Sequence, residues 1–344
     1  MTETKNALPL RFGVIGAGVI SGAYLENYAK DPRTEVVGIA DTNGDLLGKA
    51  AKTYGIEQAT DDYRELLENK KIDIIVVATP HFLHHPMVMD ALEAGKDVLC
   101  EKPLAMNAAQ AEEMIGKAKA KGKRLFVGLN MRTGAGFRTV EKVIQSGKIG
   151  RPFLSRISYF GHELERMQDP QHWKGSKDGA GGGVLLDGGY HVIDIMNMFF
   201  GEPQDVMAVC CKCVIKTENK CEDNAVLLIK YSEEMIGEVA ASFTIKNARS
   251  KQEPTLRLRL EVYGTEGSVW AEYYSHDDLG WQTTLVSGDK SSQIPLQPFV
   301  PENIQLHFVD CLLDGTTPIV TAEDALRVHR IVDAAYAQSG ILNQ

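Results

Sequence analysis

Leu10-Arg11-Phe12-Gly13-Val14-Ile15-Gly16-Ala17-Gly18-Val19-Ile20-Ser21 decides the fold. Its first half is a short apolar run of strand character. Its second half turns on two glycines into a stretch that reads as helix to about Lys30. The first glycine permits a tight strand-to-helix turn, and the second lets backbone approach a pyrophosphate. The helix amino terminus offers free N–H groups and a favourable dipole to that anion. Where the dinucleotide pattern has a third glycine this chain has Ser21, small enough to keep the helix closely packed. Asp41 follows the next apolar run, Val36 to Ala40, about twenty residues on, where a ribose-binding acid belongs.

Outward from this stretch, strands and helices alternate. Asp45 to Tyr54 reads as helix with Gly55 at its cap, Asp62 to Glu68 as a short helix, and Ile72 to Ala78 as strand. Pro86 to Ala94 reads as helix closed by Gly95, Val98 to Cys100 as strand, Asn107 to Lys121 as helix, and Leu125 to Gly128 as strand. That rhythm implies a doubly wound parallel sheet, a Rossmann domain over residues 1–129. From about Met131 the rhythm changes. A helix around Phe137 to Gln145, a strand Phe153 to Phe160, a polar loop and a further helix precede the runs Val206 to Ile215, Ala225 to Tyr231, Ile236 to Phe243, Leu256 to Tyr263 and Ser268 to Tyr274. Consecutive strands with short turns predict a second α/β domain, 130–344, built on a large, open, mostly antiparallel sheet. Such a sheet covers one face with its own helices, and its free face is expected to pack on a second subunit in a homodimer or homotetramer.

The 344 residues are 44% hydrophobic and 24% charged, ordinary for a globular protein with two cores. A net charge of −9 argues against nucleic acid or anionic membrane as a partner. Met1 to Leu10 lacks a signal-peptide core and no run is long enough to span a bilayer, which predicts a cytoplasmic protein. Cys210, Cys211, Cys213 and Cys221 lie close together without the paired C-x-x-C spacing of a zinc site. They read as small apolar residues, and no metal is expected; isolated Cys100 and Cys311 read as reduced thiols.

Two features carry chemistry. Lys102, in Cys100-Glu101-Lys102-Pro103, follows a buried strand, where a cation can polarise a substrate oxygen beside a dinucleotide. Asp187 and His191 are four apart on a helix expected to begin near Gly183, so they share one face, with Asp194 continuing the stripe. A satisfied structural pair is the alternative for that spacing. Against it stands the run Gly179-Ala180-Gly181-Gly182-Gly183 with Gly188-Gly189, because clustered glycines imply close approach of backbone to something.

With these residues in view, the sequence resembles the Gfo/Idh/MocA oxidoreductase family along nearly its whole length. The likeness rests on Gly13-Val14-Ile15-Gly16-Ala17-Gly18, on Ala91 through Pro103 with its Glu-Lys-Pro element, and on Gly181 through Asp194 with its Asp-x-x-x-His element. Tyr263 to Gly267 and Thr321 to Leu326 also look like that family. The resemblance implies an NAD-dependent oxidoreductase in which Lys102 and His191 face the substrate carbon, with Asp187 beside them and a cis Lys102–Pro103 bond. Histidine suits the general base that takes the hydroxyl proton, and lysine holds the developing alkoxide. Residues expected to bind the cofactor are Gly16, Gly18, Val19, Ile20, Asp41, Thr79, Pro80, His84, Glu101 and Lys102. Family members often carry Thr-Pro-Asn where this chain has Thr79-Pro80-His81, so contacts near the nicotinamide differ in detail.

Substrate contacts are expected from Asn130, Arg156, His172 and Trp173, the tryptophan stacking on a sugar ring; packing of the loop is the alternative for Trp173 and a turn role that for Asn130. Strand alternation puts Arg156 and Tyr159 on opposite faces. Among Arg132, Arg166, Lys174 and Lys177 no phosphate-sized basic cluster stands out, since Glu163, Glu165, Asp169 and Asp178 interleave. The expectation is an NAD-dependent dehydrogenase acting on a secondary hydroxyl of a sugar, cyclitol or related polyol. An NAD-dependent glycosidase working by transient oxidation and elimination, and a non-catalytic sugar or dinucleotide sensor, are the rivals.

Overall fold

Ile74-Ile75-Val76-Val77 is buried at every position, the signature of a central strand in a parallel sheet covered on both faces. A computed structural model describes residues 9–216, 218, 221–245, 256–275, 280–299 and 303–341; residues 1–8, read above for a signal peptide, lie outside them. The chain divides into two compact units, one of Met1–Ala105, Ala109–Gly128 and Asn303–Glu323, the other of Met106–Ala108, Leu129–Glu302 and Asp324–Gln344. The single boundary expected after residue 129 therefore omits a return, because residues 303–323 fall with the first unit.

In the first unit β1 (Leu10–Ile15), α1 (Val19–Lys30), β2 (Thr34–Ala40), α2 (Gly44–Tyr54), β3 (Gln58–Thr60), α3 (Arg64–Glu68), β4 (Ile74–Val77), α4 (His81–Glu93), β5 (Asp97–Cys100), α5 (Ala108–Lys121) and β6 (Leu125–Val127) follow in order. The sheet runs β3-β2-β1-β4-β5-β6, and all its pairs are parallel. The order reverses direction at β1 and β4, so the ligand crevice of such a sheet opens beyond their carboxyl ends. Tyr24, Leu25 and Tyr28 bury one face of α1, and Phe12 stacks on Tyr28 at 4.1 Å between ring centroids. The helix Ile304–Asp314 closes this unit, setting Phe308 against Phe126 at 4.9 Å. Strand β3 went unread, being three residues long, and α4 starts at His81 with Pro80 before it, leaving Pro86 inside the helix.

The second unit holds α6 (Ala135–Gln145), β7 (Pro152–Phe160), α7 (Leu164–Gln168), α8 (Lys177–Ala180), α9 (Gly188–Phe200), β8 (Asp205–Cys211), β9 (Asn224–Ser232), β10 (Met235–Ser242), β11 (Arg257–Gly264), β12 (Gly267–Tyr274), β13 (Trp281–Ser287) and β14 (Lys290–Gln293). In chain order α10 is the Ile304–Asp314 helix, and α11 (Ala322–Ser339) begins in the first unit and ends in the second. The eight strands run β14-β13-β12-β11-β7-β10-β9-β8, antiparallel except for the β7–β10 pair. Alternating burial along β9 and β11 shows one covered face and one open face. Helix α9, buried from Gly188 to Asn197, packs on the covered face. Strand β8 ends at Cys211, short of the expected Ile215. The Asp223 carboxylate accepts the backbone N–H groups of Cys213, Val214 and Ile215 at 2.7 Å, giving them an alternative to the ladder.

Candidate active site

In the first unit the glycine turn is built as the sequence implies. Gly16 has φ +104°, and a side chain there would put its Cβ 2.4 Å from the Ala78 carbonyl oxygen. Gly18 caps α1, and a Cβ there would meet nothing within 4 Å, so the protein itself does not demand glycine at that position. Open space before the free N–H groups of a helix start fits a pyrophosphate. Ser21 is buried, its hydroxyl donating to the Gly18 carbonyl at 2.7 Å, while Val19 and Ile20 stand exposed at 88% and 54%. Asp41 Oδ2 accepts from Ala17 N at 2.6 Å and Oδ1 from Asn43 N at 2.8 Å. Each carboxylate oxygen keeps a lone pair for a ribose hydroxyl.

Glu101 and Lys102 leave the carboxyl end of β5. The Tyr24 hydroxyl donates to Glu101 Oε1 at 2.6 Å, and Glu101 Oε2 accepts from Lys102 N at 3.1 Å. Burial first, and then the Glu101 charge, hold the Tyr24 phenol well above its ordinary pKa, so it remains the donor. Glu101 thus fixes the backbone from which Lys102 projects, and the Lys102–Pro103 bond is cis. His84, expected at the cofactor, is fully buried with Nδ1 2.7 Å from the Pro103 carbonyl oxygen and Nε2 2.9 Å from that of Thr79. Both ring nitrogens therefore face backbone, and the residue ties the Thr79-Pro80 turn to the lysine loop. Thr79 directs its hydroxyl to Met87 Sδ at 3.7 Å, and Pro80 is the cap of α4.

In the second unit the helix bearing His191 starts at Gly188, not near Gly183. Residues 184–187 form a turn in which Asp187 N donates to the Gly183 carbonyl at 3.2 Å, and Asp187 occupies the cap position. It thus stands at the helix entry, four residues before His191, rather than inside the helix. A partner the sequence did not offer holds it: Lys174 Nζ lies 2.6 Å from Asp187 Oδ2 and 3.3 Å from Glu163 Oε2. The ammonium also sits 5.4 Å from the Trp173 ring centroid and 5.6 Å from that of Phe243. Burial pulls the Lys174 pKa down, but Asp187 and Glu163 more than offset this and hold it above its ordinary value. One of the acids that interleaved with this lysine in the linear sequence, Glu163, is with Asp187 its partner in space.

His172 stacks on Trp173 with centroids 5.6 Å apart and ring planes 27° apart, and its Nδ1 accepts from Lys174 N at 3.1 Å. Burial and then the Lys174 charge lower its pKa, which keeps the ring neutral and the proton on Nε2. Tyr159 packs its ring over Gly188, and burial followed by Asp187 and Glu163 pushes its phenol up, so it keeps its proton. Asn130 is exposed and opens a single 3-10 turn, Asn130–Thr133. Arg156 does not join this group. It lies on the sheet's open face, paired with Glu238 at 3.0 Å, on the side away from α9 and Tyr159. Arg132 is buried, bidentate to Asp194 at 2.7 and 2.5 Å, so Asp194 serves an ion pair inside the fold. None of the six cysteines forms a disulfide; Cys211 and Cys213 are exposed and the others buried.

Residues 10–129 match the domain described as oxidoreductase family, NAD-binding Rossmann fold, and residues 137–270 match the GFO/IDH/MocA C-terminal domain. The chain is 31% identical over 350 residues to trans-1,2-dihydrobenzene-1,2-diol dehydrogenase of Mus musculus, spanning 97% of this chain and 98% of that one. It is 29% identical to 1,5-anhydro-D-fructose reductase of Ensifer adhaerens over 92% of each. Levoglucosan dehydrogenase, solved in complex with NADH and levoglucosan, superposes with a TM-score of 0.83 at 25% identity, covering 96% of this chain and 97% of that one. Domain matches over most of the chain, on a glycine turn and a Rossmann strand order that independently describe a dinucleotide site, show that the protein belongs to the Gfo/Idh/MocA family of NAD-binding oxidoreductases.

Proposed function

We propose that the protein oxidises a secondary hydroxyl of a sugar, cyclitol or related polyol, reversibly, using NAD. The observation that carries this reading is Lys102 at the carboxyl end of β5, on the same sheet edge as the glycine turn after β1, its backbone held by Glu101. NAD, when bound at Gly16, Gly18 and Asp41, supplies the hydride acceptor. Lys102 holds the substrate oxygen by charge and hydrogen bond as the alkoxide develops. The hydroxyl proton passes to the His191 imidazole, whose ordinary pKa suits a base at neutral pH. Asp187, paired with Lys174, accepts a hydrogen bond from a substrate hydroxyl, and the stacked His172–Trp173 pair offers a face to the ring. Relatives named for a cyclic diol, an anhydro sugar and levoglucosan support the substrate class.

The test is a screen of polyols, sugars and glycosides for reduced nicotinamide, with cofactor titrations alongside. Absorbance growth with a polyol is expected; release of an aglycone without net NADH would make the protein a glycosidase, and no turnover with any of them would favour a sensor. NADH is expected to bind more tightly than NADPH, because Asp41 repels a 2′-phosphate and Thr42-Asn43 offers no cation against it. Equal affinities would refute that preference.

We further infer a homo-oligomer through the open face of the second sheet. Met207, Val209, Val226, Leu228 and Ile236 expose apolar side chains on one face of β8, β9 and β10, beside the Arg156–Glu238 pair. Light scattering should give a mass of two or more chains, and Leu228→Lys should lower it; a parental protein at the mass of one chain would rule the interface out.

A further inference from the structure

Behind the turn that carries Asp187 lies a carboxylate the reaction does not touch. Glu222 precedes β9 and is completely buried. Its Oε2 accepts from Gly183 N at 2.9 Å, and its Oε1 accepts from Leu185 N at 2.8 Å and from the Tyr336 hydroxyl of α11 at 2.9 Å. Its own carbonyl takes Val184 N at 3.0 Å. Three consecutive backbone N–H groups of the turn therefore end on one residue. The fit leaves no room for a side chain: a Cβ on Gly183 would lie 1.7 Å from the Glu222 carbonyl oxygen, and one on Gly182 would lie 2.2 Å from the Tyr336 hydroxyl. The next residue, Asp223, grips residues 213–215 in the same way, so Glu222 is anchored from its far side.

We propose that Glu222 is a positioning residue for the reaction, acting through the turn Gly183 to Leu185 to set where Asp187 stands and how α9 delivers His191. This rests on the roles assigned above to Asp187 and His191. The ionised carboxylate is the form that suits three donors, since a proton on either oxygen replaces an acceptor site with a donor among N–H and O–H groups. Its partners are N–H groups and a phenol rather than a cation. Burial pushes its pKa up to about 7, against the pull of Leu185 N, its own backbone, Tyr336 and Gly183 N. The other titratable groups facing it are Tyr336 on α11, Cys210 on β8 and neighbouring Cys221, all held neutral by burial above their ordinary values.

Glu222→Gln keeps the shape but turns one acceptor into an NH2 that meets a donor. It is expected to lower kcat tenfold or more with NADH affinity unchanged within twofold, and to remove one ionisation from the acid limb of the pH–rate profile. Tyr336→Phe withdraws a hydrogen bond that favours the anion, so its acid limb should move to higher pH. Parental kcat in Glu222→Gln while His191→Asn is inactive overturns the inference and leaves the catalytic reading intact. Parental kcat in both overturns the catalytic reading itself. Should Glu222→Gln not fold, Tyr336→Phe decides, and an unmoved acid limb overturns the inference.

Discussion

His191→Asn and Lys102→Met are each expected to lower turnover on a proven polyol by about a hundredfold or more, the usual loss when a general base or an oxyanion partner is removed. Cofactor titrations should be unchanged in His191→Asn, which lies outside the unit holding the glycine turn. Activity of the parent should rise with an ionisation that the asparagine variant lacks. Near-parental turnover in both would refute the assignment, and the replacement base would then be sought among few groups. Tyr159 keeps its proton, and His84 turns both ring nitrogens to backbone carbonyls, which leaves His81.

A second large effect concerns stability. Arg132 lies between Asp194 and Asp324, its side chain 6% exposed against 2% and 11% for the acids. Arg132→Met is expected to destabilise the protein by about 3–5 kcal/mol, because it strands buried carboxylates. Burial already raises the Asp194 pKa against the pull of Arg132, and without the arginine it rises further. A carboxyl whose folded pKa exceeds its unfolded value contributes stability that fades as pH climbs through the folded value. The deficit of the variant should therefore shrink on acidification toward the ordinary carboxylate pKa near 3.9, and shrink at neutral pH when Asp194→Asn is added. Denaturation midpoints at several pH values measure this. A loss under about 1 kcal/mol, or one independent of pH, would contradict the account.

What the sequence made legible is what short-range pattern encodes. The glycine turn, the acid after the second strand, the lysine after the fifth and the alternation of the second sheet all depend on residues within one or two elements of each other. The partners that hold the site do not. Tyr24 reaches Glu101 across 77 positions, and Gly183 meets Glu222 and Tyr336 at separations of 39 and 153. No periodicity marks such pairs. The glycine run shows the ambiguity plainly: close approach of backbone was implied, but a ligand and a buried carboxylate demand the same missing side chain. Arg156 was placed on a cleft by its strand and removed from it by the strand's alternation, and only the sheet's packing says which face is covered.

The return of residues 303–323 to the first unit bears on synthesis. A nascent chain that has emerged to Val127 already carries all six strands of the parallel sheet. It lacks Phe308 over Phe126, Asp310 against Arg33 at 2.7 Å, and the Cys311 and Leu312 carbonyls that accept from Arg124 at 3.0 and 3.3 Å. The nucleotide-binding unit is thus encoded first and completed among the last, after every strand of the other sheet has left the ribosome.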